Sequence, residues 1–198
     1  MTKTVIGLLR HGQTNWNIDF RLQGVTDIPL NETGIAQAKV AGAVIASQAA
    51  AGQPWDLILT SPLSRARDTA VMVGQAIGIE GVSVEELLLE RSFGEAEGLT
   101  HAEWKTSFPD GHPPGGESLE ELRLRAGLLL DHLANQYRGT RALAVSHGAM
   151  IRKIVRIVSK GTLPLPGERF ENTSLTVLRH DQDGWKVHSY NPKSLGRD

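Results

Sequence analysis

The chain has no cysteine among its 198 residues. That absence excludes disulfides, thiolate metal sites and cysteine nucleophiles, and it is compatible with a reducing cytoplasm. Neither sign of charge dominates: 21 lysines and arginines stand against 22 aspartates and glutamates, a formal net charge of −1. Without a net field, nucleic acid and anionic membrane surfaces are not the expected partners, and a small molecule is. No window approaches the roughly 20 uninterrupted apolar residues of a membrane helix. The residues before Arg10 lack a small-residue cleavage signature, so no secretion signal is read and the expected location is the cytoplasm. A glycine-rich fingerprint is missing after the first apolar run, which disfavours a nucleotide-binding doubly wound domain.

What is present alternates between two periods. Residues 5–9 form a short apolar run of the kind buried on both faces of a parallel sheet. Leu30 and Asn31 supply a staple and an N-cap for a helix to about residue 50, ended by Gly52 and Pro54. Residues 57–60 read as the next buried strand, Pro62 opens a turn, and 65–77 read as a helix closed by Gly78. A weaker strand is expected within 82–89. Residues 92–117 are rich in glycine, proline and charge without a clear period, which marks an excursion over a site rather than a linker.

Ser118 then caps an amphipathic helix with Leu119, Leu122, Ala126, Leu129 and Leu133 on one stripe. Glu120, Glu121, Arg123 and Arg125 fall largely off that stripe, which assigns this helix to the fold and not to the chemistry. Residues 142–146 read as a strand and 148–158 as an apolar helix, and Asp181-Gln182-Asp183-Gly184 is a hairpin signal between two late strands. The expectation is an α/β fold, a three-layer α/β/α sandwich with a mainly parallel sheet and one antiparallel edge strand. Residues 1–198 are expected to form a single domain, as a monomer or homodimer.

One echo carries chemistry. Arg10-His11-Gly12 follows the first strand and Ser146-His147-Gly148 follows a later one. Ligands of open α/β sheets bind outside the carboxyl ends of the strands, so both histidines can face one crevice. Transfer of a phosphoryl group spreads charge over three oxygens, which calls for fixed cations. Arg10 suits that task, as does Arg65 at the start of a helix whose amides add to an anion site. His11 can attack phosphorus with a neutral imidazole nitrogen, and His147 can donate to the transferring oxygens. Glu90, where a third strand should finish, can supply the proton that the leaving alcohol needs.

These elements together resemble the histidine phosphatase superfamily, the group that includes cofactor-dependent phosphoglycerate mutases. The Arg-His-Gly signature falls on Arg10, His11 and Gly12, with its Thr-x-x-Asn continuation on Thr14 and Asn17. The second arginine falls on Arg65 in Ser-Pro-Leu-x-Arg-Ala, the acid on Glu90, and the late histidine on His147 in Ser-His-Gly. The resemblance implies a phosphoglycerate mutase-like fold and a phosphohistidine on His11. Glu90 then protonates the leaving group, and Asn17, Gln23 and Gly24 match positions that touch phosphate or substrate. It implies neither metal nor cofactor.

Plainer readings exist for each residue. A histidine after a strand is commonly a loop residue, Arg65 alone would be a solvated helix residue as Arg67 is expected to be, and Asn17 or Gln23 can simply cap a turn. Glu85, Glu86, Glu95 and Glu97 flank Glu90 as solvated charges. Trp16 and Trp104 can line a pocket, although packing is favoured for each, and the remaining histidines are read as structural. The matched order of elements favours catalysis.

Between hydrolase and mutase, the mutase-like Glu-Arg-His-Tyr-Gly is replaced by Glu90-Arg91-Ser92-Phe93-Gly94. From Gly94 to Glu117 the acids are Glu95, Glu97, Glu103, Asp110 and Glu117, against the single cation Lys105, a poor grip for a bisphosphate. Gly115-Gly116-Glu117-Ser118 resembles the small phosphatases of the superfamily. Hydrolysis of a small phosphate ester is the favoured reading, with phosphoglycerate mutase and a non-catalytic phosphate-binding protein as alternatives.

Overall fold

The computed structural model describes residues 3–196. Six strands form one sheet: β1 (Thr4–Arg10), β2 (Leu57–Thr60), β3 (Ser83–Val84), β4 (Arg141–Ser146), β5 (Leu175–Asp181) and β6 (Gly184–Ser189), in the spatial order β3-β2-β4-β1-β5-β6. β1 pairs in parallel with β4 from Val5↔Arg141 to Arg10↔Ser146, and β2 lies parallel to both β4 and β3. β5 runs against β1, and the β5–β6 hairpin completes that edge as expected. The aligned ends of β1 and β4 bring Arg10 beside Ser146, and therefore His11 beside His147.

Strand alternation divides the core between two faces. Ile6, Leu8, Ala142 and Ala144 pack with Leu122, Leu129 and Leu133 of α5 (Leu119–Gln136) and with Met150, Ile151 and Ile154 of α6 (Gly148–Val158). Val5, Leu9, Leu143 and Val145 face the other way, onto Ile45 of α2 (Glu32–Ala50) and Ala66, Ala70 and Val73 of α3 (Ser64–Ile77). Leu129 and Leu143 are fully buried, and truncating either to alanine costs roughly 2–5 kcal/mol. Asn31 caps α2 through its side chain, and Gly78 ends α3 in the left-handed conformation, as the punctuation predicts.

Three local expectations change. The strand within 82–89 shrinks to two residues, because the Glu85 side chain accepts from Leu87 N–H (3.2 Å) and starts a 3₁₀ turn at Glu86–Leu88. The excursion is not structureless: it holds a 3₁₀ turn at Gly94–Ala96 and α4 (His101–Ser107), capped by the reciprocal Thr100–Glu103 box. Leu119 is exposed, and Leu130 takes its place in the buried stripe of α5. The short α1 (Asn15–Ile18), capped by Thr14, completes the elements.

Gly12 and Gly34 let the loop after β1 lie directly on the start of α2. A Cβ on Gly12 would sit 2.4 Å from the Gly34 carbonyl oxygen, and one on Gly34 would sit 2.1 Å from the Gln13 carbonyl oxygen. Backbone atoms cannot yield as a side chain does, so no larger residue fits at either position.

Candidate active site

At the carboxyl end of the sheet, His11 is 2% exposed, and His147 and Arg65 are fully buried. The two imidazole rings lie 5.1 Å apart between centroids. His11 Nδ1 is 2.6 Å from the Gly12 carbonyl oxygen. A carbonyl only accepts, so Nδ1 carries the proton and Nε2 of the neutral ring keeps its lone pair. Burial pushes the His11 pKa well below its usual value, helped by the charges of Arg10 and Arg65 and opposed by the bond to Gly12. Burial also lowers the His147 pKa well below the usual range, with the neighbouring His11, Arg65 and Arg10 adding to it. Both rings are therefore neutral near pH 7.

The two arginines are held by carbonyls. Arg65 donates to the Thr26 and Gly24 carbonyl oxygens (2.8 Å each), and Arg10 donates to Phe170 O (2.6 Å). Among the described residues neither forms an ion pair, and Arg10 Nε, Arg65 Nε and His147 Nδ1 are buried polar atoms with no hydrogen-bond partner. Buried cations are ordinarily paired, so this cluster is arranged to receive an anion. Desolvation lowers both arginine pKa values, offset by the nearby Glu90 carboxylate. Arg67 is exposed on the same helix, as expected.

Glu90 joins the cluster from the loop after the 3₁₀ turn. Its Oε1 accepts from Arg91 N–H (2.9 Å) and Met150 N–H (3.1 Å), and its Oε2 from Ala149 N–H (3.1 Å), at the amino end of α6. Asn17 Oδ1 accepts from Thr14 N–H (3.1 Å) and from Asn172 Nδ2 (3.1 Å), which leaves the Asn17 amide nitrogen as a donor. Gln23 Oε1 accepts from the Thr14 hydroxyl (2.9 Å), again leaving the amide nitrogen. Gly24 sits at φ +53°, where a Cβ would collide with the Glu97 carboxylate, and its carbonyl holds Arg65. All the expected site residues thus converge on one region.

Several residues at the site escaped the sequence reading. The Ser61 hydroxyl is 2.7 Å from His147 Nε2, Thr69 Oγ1 accepts from Gly12 N–H (3.0 Å), and Asn172 Nδ2 donates to the His11 carbonyl (3.0 Å). Arg125, assigned to the fold alone, donates to the carbonyls of Leu87 (3.1 Å), Leu89 (2.7 Å) and Glu90 (3.2 Å) and pairs with Glu117 (2.7 Å). Glu97, read as a solvated charge, accepts from the N–H groups of Val25, Thr26 and Phe93 and from the Thr26 hydroxyl. The only sequence signal for these ties was the Ser-Pro turn that contains Ser61.

A cavity of about 630 Å³ opens from Arg10 and Asn17 toward solvent, walled by Trp16, Phe20, Arg21, His101, Arg169 and Glu171 among others. Trp16 lines it, whereas Trp104 packs between His101 and Phe93. The charge count over the excursion misrepresents this mouth. None of the excursion's five acids lines this cavity: Glu97, Glu103 and Glu117 accept from backbone amides or Arg125, Asp110 accepts from the His112 N–H, Glu95 is exposed elsewhere, and the cavity wall carries three arginines against Glu171.

The family model of the histidine phosphatase superfamily (branch 1) matches residues 6–193. The chain belongs to that superfamily. The uncharacterised phosphatase PhoE of Bacillus subtilis is 36% identical over 193 residues, covering 96% of both chains. The probable phosphoglycerate mutase GpmB of Photorhabdus laumondii is 32% identical, over 96% of this chain and 91% of that one. Among solved structures, mycobacterial glucosyl-3-phosphoglycerate phosphatase aligns with a TM-score of 0.78 at 29% identity (96% and 99% of the chains), and a phosphoserine phosphatase variant from Entamoeba histolytica with 0.78 at 30% (97% and 99%). With phosphatases spanning it from end to end, this superfamily member is a phosphatase.

Proposed function

We propose that this phosphatase hydrolyses small phosphate monoesters through a phosphohistidine on His11. The observation that supports it most is the neutral His11, protonated on Nδ1, beside two buried arginines that form no ion pair. His11 Nε2 attacks phosphorus, the bond from phosphorus to the ester oxygen breaks, and Glu90 gives its proton to that oxygen. Glu90 Oε2 holds one amide donor against two on Oε1, which leaves it the freer oxygen for this exchange. In the second half, Glu90 takes a proton from water, the water oxygen bonds to phosphorus, and the N–P bond returns its electron pair to Nε2.

Arg10, Arg65 and the amide nitrogens of Asn17 and Gln23 serve the non-bridging oxygens. With the Ser61 hydroxyl, 2.7 Å from His147 Nε2, as the donor of that pair, the ring proton lies on Nδ1, which has no partner among the described residues and serves as a further donor. Gly24 acts through its carbonyl, by holding Arg65. The reading needs no metal or cofactor, so turnover is expected to survive chelation by EDTA. Residues 1–198 then act as one domain, with 92–117 covering the site. No described helix is long and apolar enough to cross a membrane, and the cysteine-free chain suits work in the cytoplasm.

His11→Ala is expected to lower kcat by roughly 10⁴-fold or more, as loss of a covalent nucleophile does. Intact-mass measurement after alkaline quenching should find one phosphoryl group on the wild type and none on the variant. Turnover surviving in His11→Ala sinks the mechanism. The mutase relative and the cationic mouth favour a second reading, phosphoryl transfer between positions of a phosphoglycerate. Rapid isomerisation of 3-phosphoglycerate, stimulated by the bisphosphate with little phosphate released, would establish it instead.

A further inference from the structure

We propose that Asn172 is a positioning residue for phosphoryl transfer, acting through Asn17, whose amide it holds with the nitrogen free for the phosphoryl oxygens; this rests on the phosphatase reading above. Within the turn of residues 170–174, the Phe170 carbonyl accepts from the Arg10 guanidinium (2.6 Å), Thr173 N–H donates to the Arg10 carbonyl (3.0 Å), and the Ser174 carbonyl accepts from Arg10 N–H (3.1 Å). Asn172 reaches one residue further. Its Nδ2 donates to the His11 carbonyl (3.0 Å) and to Asn17 Oδ1 (3.1 Å). The partners fix which amide atom is which. A carbonyl only accepts, so the Asn172 atom facing His11 O is the nitrogen; an N–H only donates, so the Asn17 atom facing Thr14 N–H (3.1 Å) is the oxygen. Both Nδ2 hydrogens of Asn172 are thereby engaged, and Asn17 keeps its own Nδ2 for an anion in the cavity that it lines with Arg10.

The turn carries backbone strain at the next residue. Thr173 is β-branched, buried, and at φ +58°, a left-handed conformation that such a residue keeps only where its surroundings fix it. Here they do. Its carbonyl accepts from Leu195 N–H (3.2 Å), and the Asn172 carbonyl accepts from both the Thr173 hydroxyl (2.7 Å) and the Ser194 hydroxyl (2.6 Å). The left-handed step lets consecutive residues aim a side-chain amide at His11 and Asn17 and a backbone N–H at Arg10. Strain held in this way beside a reacting centre points to positioning, since packing alone needs no such backbone. Neutral hydrogen bonds to a residue that itself serves the phosphoryl group predict a moderate effect that depends on that residue.

The test is a double-mutant cycle of Asn172→Ala and Asn17→Ala, read as kcat/KM for p-nitrophenyl phosphate and as the inhibition constant of inorganic vanadate. Asn172→Ala should lower kcat/KM by about tenfold, the scale of one to two neutral hydrogen bonds, and weaken vanadate by a similar factor. In the Asn17→Ala background the same substitution should cost at most about twofold, because the group it positions is gone. Asn172→Asp keeps the shape but sets a carboxylate oxygen against two acceptors, so it should lose at least as much as alanine. Wild-type turnover in Asn172→Asp overturns the inference. So does an undiminished loss in the Asn17→Ala background, which would make Asn172 a purely structural residue or a substrate contact in its own right. Should Asn172→Ala fail to fold, Asn172→Ser, too short to reach both acceptors, takes its place in the cycle with the same expected outcomes. Each of these results leaves hydrolysis intact. Failure of the wild type to turn over any ester, p-nitrophenyl phosphate included, overturns the phosphatase reading and this inference with it.

Discussion

The histidine side of the pocket and its carboxylate side rest on different physics. His11, His147 and Ser61 follow directly on buried parallel strands whose register places them, and Arg65 opens a helix whose apolar face is sealed against the same sheet. Glu90 belongs to no strand or helix. It is held from outside by Arg125, which grips three carbonyls of its loop, by Glu117 behind Arg125, and by the amide groups at the start of α6. Burial and register therefore position the nucleophile, and charge-assisted ties position the acid. Damage to the two sides should accordingly differ in kind, by leaving group and by what happens to the fold.

The largest contrast should come from the acid itself. Glu90→Gln removes the proton source, so kcat on alkyl phosphates should fall by about 10²–10⁴-fold, the usual worth of general acid catalysis. p-Nitrophenolate departs without a proton, and its ester should lose far less. Equal losses on both esters would show that Glu90 does not serve the leaving group, and the comparison would lose its carboxylate half.

Next in size is the pair that holds the loop. Arg125→Gln leaves Glu117 without its cation and frees the carbonyls of Leu87, Leu89 and Glu90. Breaking a substantially buried pair costs up to about 3–5 kcal/mol, so thermal unfolding should shift downward. In the folded enzyme kcat on alkyl phosphates should drop by about tenfold, reflecting partial loss of acid catalysis, with p-nitrophenyl phosphate again spared. Arg125→Lys should restore stability more than activity, since one ammonium cannot serve three carbonyls and a bidentate carboxylate. A loss independent of leaving group would make Arg125 a purely structural residue.

That division also explains what could be read from the chain. Arg10, His11 and His147 were legible because a short apolar run ends where a buried strand ends, and the next residue must then lie at the sheet's carboxyl edge. Arg65 was legible because Ser-Pro and Gly78 bracket its helix. Arg125 was not, because its position off the leucine stripe looks the same whether it meets water or a loop 35 residues away. Glu97 was counted as surface charge for the same reason, although it organises residues 25–26 across 71 positions of chain. The excursion's α4 was announced by its Thr100–Glu103 box, a strictly local signal that lay inside a stretch dominated by glycine and proline. Pairings without periodicity, between distant charged residues, are what the sequence pattern cannot encode.

On the histidine side the smaller counterpart is Ser61→Ala. Without the hydroxyl, His147 Nε2 has no partner, and the tautomer that presents Nδ1–H to the phosphoryl group is no longer selected. One neutral hydrogen bond is worth about 0.5–1.5 kcal/mol, so kcat should fall only about twofold to tenfold. The loss should be the same for alkyl and p-nitrophenyl esters, because His147 serves the transferring oxygens and not the leaving group. A leaving-group dependence like that of Arg125→Gln would erase the distinction between the two sides.

The subtlest effect is on pH dependence, and it belongs to the histidine side alone. Burial first, and the neighbouring cationic or imidazole groups second, hold both His11 and His147 neutral well below the ordinary histidine range. The kcat/KM profile should therefore show no loss with a midpoint near the unperturbed value of about 6.5; its acid limb, as far as His11 sets it, lies lower. Stability carries the opposite mark. Below about pH 6.5 the unfolded chain binds protons at these two positions that the folded chain refuses, so unfolding becomes easier as pH falls and stability rises with pH through that window. Denaturant titrations at pH 7 and pH 5.5 should reveal this slope, and His147→Asn, which keeps a polar group there, should reduce it. An unchanged slope would mean that His147 is protonated in the folded state. The positive field of Arg10 and Arg65 would then no longer be acting on a neutral pair.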